Sequence, residues 1–392
     1  MPPLPPVTSD TKDWTWVLAE ACPECGFDAA AVDRGTLGAT IRTNAEHVVL
    51  ALRAPRPATR RHDDTWSTVE YACHVRDVHR VFDERVRSML EHDEPRFADW
   101  DQDETARERR YDLQDPAEVA LGLVEAAAAV ATTYDGVPAD GWDRRGLRGG
   151  DNGSEFTIDS ISRYHLHDVV HHLHDIGGAV TVGAYDVAAA GYREQTHVLS
   201  DQLREAVAAF AAALPRHARV LEIGSGSGRD ARALEAHGIS VRRTDITPAF
   251  VDALRADGVE ADLLDPLTDD LRDPSRPGVP EPYDGVWANA CLLHVARADL
   301  PLVLTRLAAA TRPGGSVRLS LKEGDGDGWS THGSVTAPRR FVYWREQPLR
   351  DTLTSAGWSV DGLVHADGLR GESWLNVVAH RSEQGHEQEG TA

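Results

Sequence analysis

The stretch "VLEIGSGSGRD" (residues 220–230) decides how the second half of the chain is read. An apolar run stops at three alternate glycines, Gly224, Gly226 and Gly228, and a helix-forming run starts at Arg229. Glycines at such a junction let the backbone turn tightly and approach a ligand with no Cβ in the way. A dinucleotide-binding fold would place a further glycine where this chain has Arg229, and a P-loop would need a lysine that is absent. The loop therefore implies a ligand between a strand and a helix without naming it.

Working outward, the run continues as helix ("GRDARALEAHG"), strand ("SVRRTDI"), helix ("TPAFVDALRADG"), short strand ("VEADLLD"), strand ("YDGVWAN"), helix ("ADLPLVLTRLAAAT") and strand ("GSVRLSLKE"). This alternation predicts an α/β domain. A last helix, "QPLRDTLTSAG", leads to "WSVDGLVHADG" and "SWLNVVAHR", which predict an antiparallel pair at the sheet edge. Glu222 precedes the glycine loop. Asp245 ends the next strand, where a carboxylate can accept two ribose hydroxyls, and Asp262 follows the third, where one can meet an adenine amino group. "RPGG" (residues 312–315) turns into the fifth strand.

Together these features resemble the class I S-adenosylmethionine-dependent methyltransferases, a Rossmann-like α/β fold, over residues 185–381. The resemblance implies S-adenosyl-L-methionine as cofactor. Glu222, Gly224, Gly226 and Gly228 would flank its methionine part, with Asp245 at the ribose and Asp262 beside the adenine. Ile246, Leu263, Asn289 and Tyr192 complete the expected cofactor-binding set. Methyl transfer is an in-line displacement, so the protein has mainly to position and desolvate the nucleophile and, where needed, deprotonate it. His294 is a candidate general base; packing against the cofactor or capping the next helix is the competing reading. Tyr185 and Tyr192 are placed to close over the cofactor. "PRRFVYW" (residues 338–344) resembles a substrate lid whose Phe341, Tyr343 and Trp344 suit a modest organic acceptor.

The first half reads as helical. "STVE" (residues 67–70) is a capping box and "DPAE" (residues 115–118) supplies an N-cap, a first-turn proline and an acid. Four long helices are expected to begin near Leu37, Ser67, Asp115 and Thr157, most economically as an all-α antiparallel four-helix bundle. The last contains "RYHLHDVVHHLHDI" (residues 163–176), with five histidines. At about 100° per residue, His171 lies about 40° and His174 about 20° from His167, while His165 and His172 point elsewhere. This selects an HxxxH pair, His167 and His171, with His174 as a spare or supporting group and His165 and His172 at the surface. His74, in "TWSTVEYACHVRDVHRVF" (residues 65–82), shares a helix face with Val78 and Val81 and offers an inward third ligand. Three imidazoles suit Zn, Ni, Fe or Co and leave an open coordination position.

These two segments resemble the DinB-like superfamily, including its mycothiol-dependent transferase and isomerase branch, over residues 36–178. The resemblance implies a divalent metal held by His74, His167 and His171 that lowers the pKa of a low-molecular-weight thiol. "CPECGF" (residues 22–27) has the spacing of half a zinc site, but no second CxxC exists and Cys73 and Cys291 lie far off. A small knuckle borrowing His47 or His62 competes with ordinary reduced thiols in a turn.

The expected organisation is an N-terminal extension with the CxxC turn (1–35), the metal-binding helical domain (36–180), a connection through "GGAVTVGAYD", the methyltransferase (185–381) and a mobile tail (382–392), with a mobile stretch also at residues 1–10. The composition, 41 basic against 63 acidic residues for a net charge of −22, opposes nucleic acid and anionic membranes. The lack of an Asn/Asp-Pro-Pro-Tyr signature also opposes nucleic-acid methylation. No apolar segment suggests a bilayer span, four cysteines are too few for a disulfide framework, and a cytoplasmic address is expected. The combination resembles ovothiol-type enzymes, lacking their intervening oxygenase-type domain. The leading reading is a small-molecule methyltransferase whose first domain activates a thiol; the alternative makes that domain a non-catalytic metal- or thiol-sensing module. The acceptor, the metal and the oligomeric state stay open.

Overall fold

The computed structural model describes residues 7, 13–149, 153–368 and 371–382. Apart from Val7 and Ser382, the stretches expected to be mobile at the two ends lie outside the described residues. The chain divides into two units, Met1–Gly183 and Ala184–Ala392.

In the first unit, short 3-10 turns at Trp14–Leu18, Ala29–Ala31 and Arg34–Thr36 lead into α1 (Leu37–Ala51) and α2 (Thr68–Glu91). Then come β1 (Arg96–Phe97), α3 (Gln102–Glu108), α4 (Pro116–Asp135), β2 (Arg145–Arg148), β3 (Ser154–Thr157) and α5 (Ile158–Asp175). Local chemistry starts the long helices where the sequence places them. The Ser67 amide donates to Glu70 Oε2 at 2.7 Å, and Asp115 Oδ1 accepts from the amides of Ala117 (2.9 Å) and Glu118 (3.1 Å). Thr157 and Ser160 cap each other reciprocally at the start of α5. α4 packs on α1 and α2, and α5 packs on the same two helices. They bury a core that includes Ile41, Val48, Val78, Leu123, Val130 and Val169. Among the described residues, α4 alone has the length and apolar composition of a membrane span (mean hydropathy 1.3), and one of its faces packs into the core.

Two expectations need correction. The first unit is not all-α: β1 pairs parallel with β2, and β2 antiparallel with β3. Gly146 makes the approach possible, since a Cβ there would sit 2.7 Å from Phe97 Cε1 and 2.9 Å from Met89 Cγ. The "GGAVTVGAYD" connection is helical, lying within α6 (Gly177–Thr196). Its Gly183 is required, because a Cβ would fall 1.9 Å from the carbonyl oxygen of Leu50.

The second unit continues with α7 (Asp201–Ala213), β4 (Arg219–Ile223), α8 (Arg229–Ala236), β5 (Ser240–Asp245), α9 (Pro248–Ala256) and β6 (Asp262–Leu263). β7 (Tyr283–Asn289), α10 (Leu300–Ala310), β8 (Thr311–Lys322), β9 (Asp327–Ser330) and β10 (Arg339–Val342) follow. α11 (Glu346–Ser355), β11 (Trp358–Asp367) and β12 (Ser373–Arg381) complete it. Seven strands form one sheet in the order β11-β12-β8-β7-β4-β5-β6. The pairs from β8 to β6 are parallel, and β12 is antiparallel to both β8 and β11, as the alternation and the final strand pair predict. β4 leads outward to β5 and β6, whereas β7 returns to the other side of β4. The order reverses there, and in open α/β sheets the crevice beyond the strand ends at such a point receives ligands.

Asp77 on α2 ties the first unit together. Its buried carboxylate accepts from Tyr111 Oη (2.6 Å), Arg76 Nε (2.9 Å), Arg80 (3.0 Å) and Arg109 (3.0 Å). Burial alone would raise its pKa; the Arg76 and Tyr111 hydrogen bonds and the neighbouring positive charges outweigh it and hold the carboxyl below its usual range. Because the folded pKa is the lower one, this stabilisation is complete above the unfolded value and fades as pH falls through the folded one. Asp77→Ala should cost about 3 kcal/mol at neutral pH. In thermal denaturation profiles, the gap between wild type and variant should narrow under strong acid.

Candidate functional site

All three loop glycines take positive φ: +73° at Gly224, +51° at Gly226 and +72° at Gly228. Asp245, buried at the end of β5, anchors the loop by accepting from the Gly226 amide through Oδ2 and from the Thr247 amide through Oδ1, both at 2.8 Å. Burial raises the Asp245 carboxyl above its ordinary value, against the pull of these hydrogen bonds. Glu222 is also buried. Desolvation, helped by the Asp230 charge, pushes it up to about 8, and the Ser225 hydroxyl donates to it. The loop thus carries two interior carboxyl groups with different partners.

The expected cofactor residues do not all converge. Gly224, Gly226, Gly228, Glu222 and Asp245 share the loop, and Tyr192 lies over it, 3.5 Å from where a Cβ on Gly226 would be. Ile246 follows directly between Asp245 and Thr247. Leu263 pairs with Asp245 at the end of β6. Asp262 begins that strand instead of following it, and its Oδ2 takes Arg242 Nε at 2.7 Å. It lines a cavity with Arg219 and Ser275 that the loop glycines do not line. Asn289 is also committed elsewhere: Nδ2 donates to Asp230 Oδ2 (2.9 Å), while Oδ1 accepts from Arg318 (3.1 Å) and Ser320 Oγ (2.9 Å). Asp230 emerges as a residue the sequence reading passed over. It joins α8 to β7 by also accepting from Trp287 Nε1 at 3.0 Å, and the only sequence signal was an acid in the first turn of a helix.

The structure places His294, the expected general base, between the Arg340 carbonyl and the Tyr185 hydroxyl. A carbonyl can only accept, so the 2.7 Å contact of Nδ1 with Arg340 O places the proton on Nδ1. Nε2 is then the acceptor for Tyr185 Oη at 3.0 Å. Burial pushes His294 down to about 3. His294 therefore orients Tyr185, which also receives Arg339 at 3.3 Å and stacks edge-on with Tyr192. The expected lid is built differently too. Phe341 lies in β10 and Trp344 just beyond it, both in the core, and Phe341 packs on His294 with ring centroids 4.7 Å apart.

Residues 192–362 match the family model described as "Methyltransferase domain". The second unit carries a methyltransferase domain. Among curated proteins, Hemagglutinin 1 of Eikenella corrodens is 30% identical over 159 residues, 39% of this chain and 50% of that protein. The chain thus spans about half the length of the curated relative it matches. Solved structures similar to this chain include the 1,6-didemethyltoxoflavin-N1-methyltransferase of Burkholderia thailandensis with bound 1,6-didemethyltoxoflavin and S-adenosylhomocysteine. That match has 23% identity, covers 52% of this chain and 88% of that one, and has a TM-score of 0.40. The CcbJ methyltransferase of Streptomyces caelestis is 20% identical, with 51% of this chain and 98% of that one covered and a TM-score of 0.41.

Outside the methyltransferase domain, the first unit holds a cavity of about 680 Å³ lined by Trp14, Trp66, Tyr71, Trp100 and Arg148 together with α5. The three expected metal ligands do not meet at one point there. His74 groups with Asp168 and His172, while His167 and His171 group with Cys22 and Cys25; within each group the donor atoms lie within 4.8 Å of one another. His165 is not at the surface. It is fully buried, with Nε2 2.9 Å from His79 Nδ1 and Nδ1 3.1 Å from Tyr134 Oη. His172 reaches inward to His74, with ring centroids 4.7 Å apart, and His174 lies 3.9 Å from Asp175. The histidines proposed to assist the CxxC turn, His47 and His62, do not join it.

The methyltransferase loop makes a graded prediction. Gly224→Ala combines a positive φ with a Cβ 2.5 Å from that of Cys291 and should cost about 3 kcal/mol. Gly226→Ala meets Tyr192 at an ordinary distance and should cost about 1 kcal/mol. Urea denaturation of the two variants checks the order, and equal losses would contradict the close approach of Cys291.

Proposed function

We propose that the chain is an S-adenosyl-L-methionine-dependent methyltransferase acting on a small organic molecule. The observation that carries this reading is the buried Asp245 carboxylate joined to the Gly226 amide at a sheet switch point. Each carboxylate oxygen accepts one amide and keeps a second lone pair, which suits the hydroxyls of a ribose. The loop glycines leave backbone free to face the cofactor, and Tyr192 covers it. When bound, the cofactor supplies an electrophilic methyl group on a sulfonium sulfur. The chain's own residues position and desolvate the acceptor: Tyr185 presents a hydroxyl fixed from one side by His294 and from the other by Arg339. The net charge of −22 supports a small molecule over nucleic acid.

Calorimetric titration with S-adenosyl-L-methionine tests the assignment. Asp245→Ala removes charge-assisted hydrogen bonds worth about 1.5–3 kcal/mol, so affinity should fall by roughly one to two decades. Asp262→Ala should leave it unchanged, because that carboxylate is held by Arg242. Unaltered binding by Asp245→Ala would remove the ribose assignment.

The first unit, in this reading, is a DinB-like module that binds a divalent cation through His74, Asp168 and His172. The fit rests on the fully buried His74, whose ring nitrogens have no partner at ordinary hydrogen-bond geometry among the described residues. Asp168 Oδ1 faces His74 Nε2 at 3.4 Å and His172 Nε2 at 3.7 Å. Three protein donors beside a cavity leave room for a small ligand, and a cation there would acidify a bound thiol. This favours the thiol-activating reading over a sensor, for which a closed site would serve. Elemental analysis should show one equivalent of metal lost in Asp168→Ala and in His172→Ala but retained in His174→Ala.

A further inference from the structure

The CxxC turn is explained by nothing above. Cys22 and Cys25 are reduced thiols in the turn "CPECGF", closed by the Cys22 amide donating to Phe27 O (2.8 Å) and the Gly26 amide donating to Cys22 O (2.9 Å). Gly26 takes φ +73°, so the chain reverses immediately after the second cysteine. This turn meets α5 far along the sequence, at His167 and His171. Cys22 Sγ lies 3.8 Å from His171 Nδ1, and all four donor atoms fall within 4.8 Å of one another.

Two further observations point to a ligand. His167 is only 4% exposed, and its Nε2 is buried with no hydrogen-bond partner among the described residues. A buried polar atom left unpaired costs free energy that a coordinated cation would remove. The other ring nitrogen of His171 faces a carboxylate, Glu24 Oε2, at 3.6 Å, and Glu24 stands between the two cysteines. Imidazoles that bind metals through one nitrogen characteristically turn the other to such a group. Aromatic rings hold both imidazoles in place: Phe27 is edge-on to His167 at 5.4 Å and Trp14 edge-on to His171 at 4.9 Å.

We propose that Cys22, Cys25, His167 and His171 bind one zinc-class cation in a closed tetrahedral site that clips the N-terminal segment to α5. Two thiolates and two imidazoles are a donor set for Zn²⁺ and similar borderline-soft ions and unsuited to Mg²⁺ or Ca²⁺. Four protein donors leave no open position, so the role is structural. The clip holds Trp14 in the wall of the cavity. The site is separate from the group formed by His74, Asp168 and His172 and does not depend on the methyl-transfer reading.

The test uses full-length protein loaded with Co²⁺ in place of its native metal. Thiolate ligation gives charge-transfer absorption in the near ultraviolet, and tetrahedral geometry gives strong visible bands; a site of histidine and carboxylate donors produces no thiolate band. The charge-transfer band should appear at one equivalent, disappear in Cys25→Ala and His171→Ala, and persist in His74→Ala. Should the cysteine variants not fold, the wild-type protein still decides the matter: titrating its thiols with a mercurial reagent should release one zinc ion per chain. Co²⁺ binding without a thiolate band would overturn the proposal. So would a thiolate band that survives Cys25→Ala, or isolation of a metal-free protein whose Cys22 and Cys25 form a disulfide in air and take up no zinc after reduction.

Discussion

A helix turns about 100° per residue, and that rotation organises the first unit around α5. His167 and Asp168 are adjacent, as are His171 and His172, so two i,i+4 pairs face directions about 100° apart. One pair meets the N-terminal CxxC turn and the other meets His74 on α2. Rotating the helix to improve one contact would spoil the other. One turn earlier, His165 is locked by His79 and Tyr134 in the core, which holds the same rotation from a third side. Four of the five histidines in these fourteen residues are therefore turned inward in three assignments, with His174 the half-buried fifth, and they are not a loose polar surface.

The methyltransferase domain depends on a comparable economy at Asp245. One buried carboxylate at the end of β5 holds both the glycine loop and the start of the segment leading to α9. The loop is further pinned from below, where Ser225 N donates to Thr244 O and the Thr244 hydroxyl donates to Glu222 O. Cys291 closes it from the β7 side by donating to Ile223 O at 3.0 Å. A loop held this firmly on three sides is preorganised, so a ligand would not have to bear the cost of ordering it.

Features set by neighbours in sequence were legible, and features set by distant partners were not. Ser67, Asp115 and Thr157 start helices because the capping partners lie two or three residues away. The strand alternation after residue 217 and the antiparallel edge pair were readable for the same reason. β1, β2 and β3 were missed because they are two to four residues long, and only the close approach of Gly146 to Phe97 and Met89 reveals why they pair. His165 was assigned outward because face assignment treats imidazole as polar surface, whereas two other buried side chains satisfy it. His74 pointed inward as expected, but the choice between His167/His171 and Asp168/His172 as its partners turned on the helix rotation, which one sequence does not carry. Asp262 was displaced by a strand boundary. Placed at the start of β6, its carboxylate is held by Arg242.

The two donor groups on α5 differ in a way that coordination chemistry makes meaningful. A set of two thiolates and two imidazoles completes a tetrahedral shell from the protein alone, which suits a staple. A set of two imidazoles and one carboxylate leaves the shell incomplete, and that set adjoins the 680 Å³ cavity. Trp14 links the two, because it contacts both imidazoles of the first group and lines the cavity served by the second. The ring centroids of Trp14 and His171 are 4.9 Å apart, so a shift of the CxxC turn would move the cavity wall with it. The closed group thus shapes the space in which the open group would meet a ligand, and a single helix sets the distance between them.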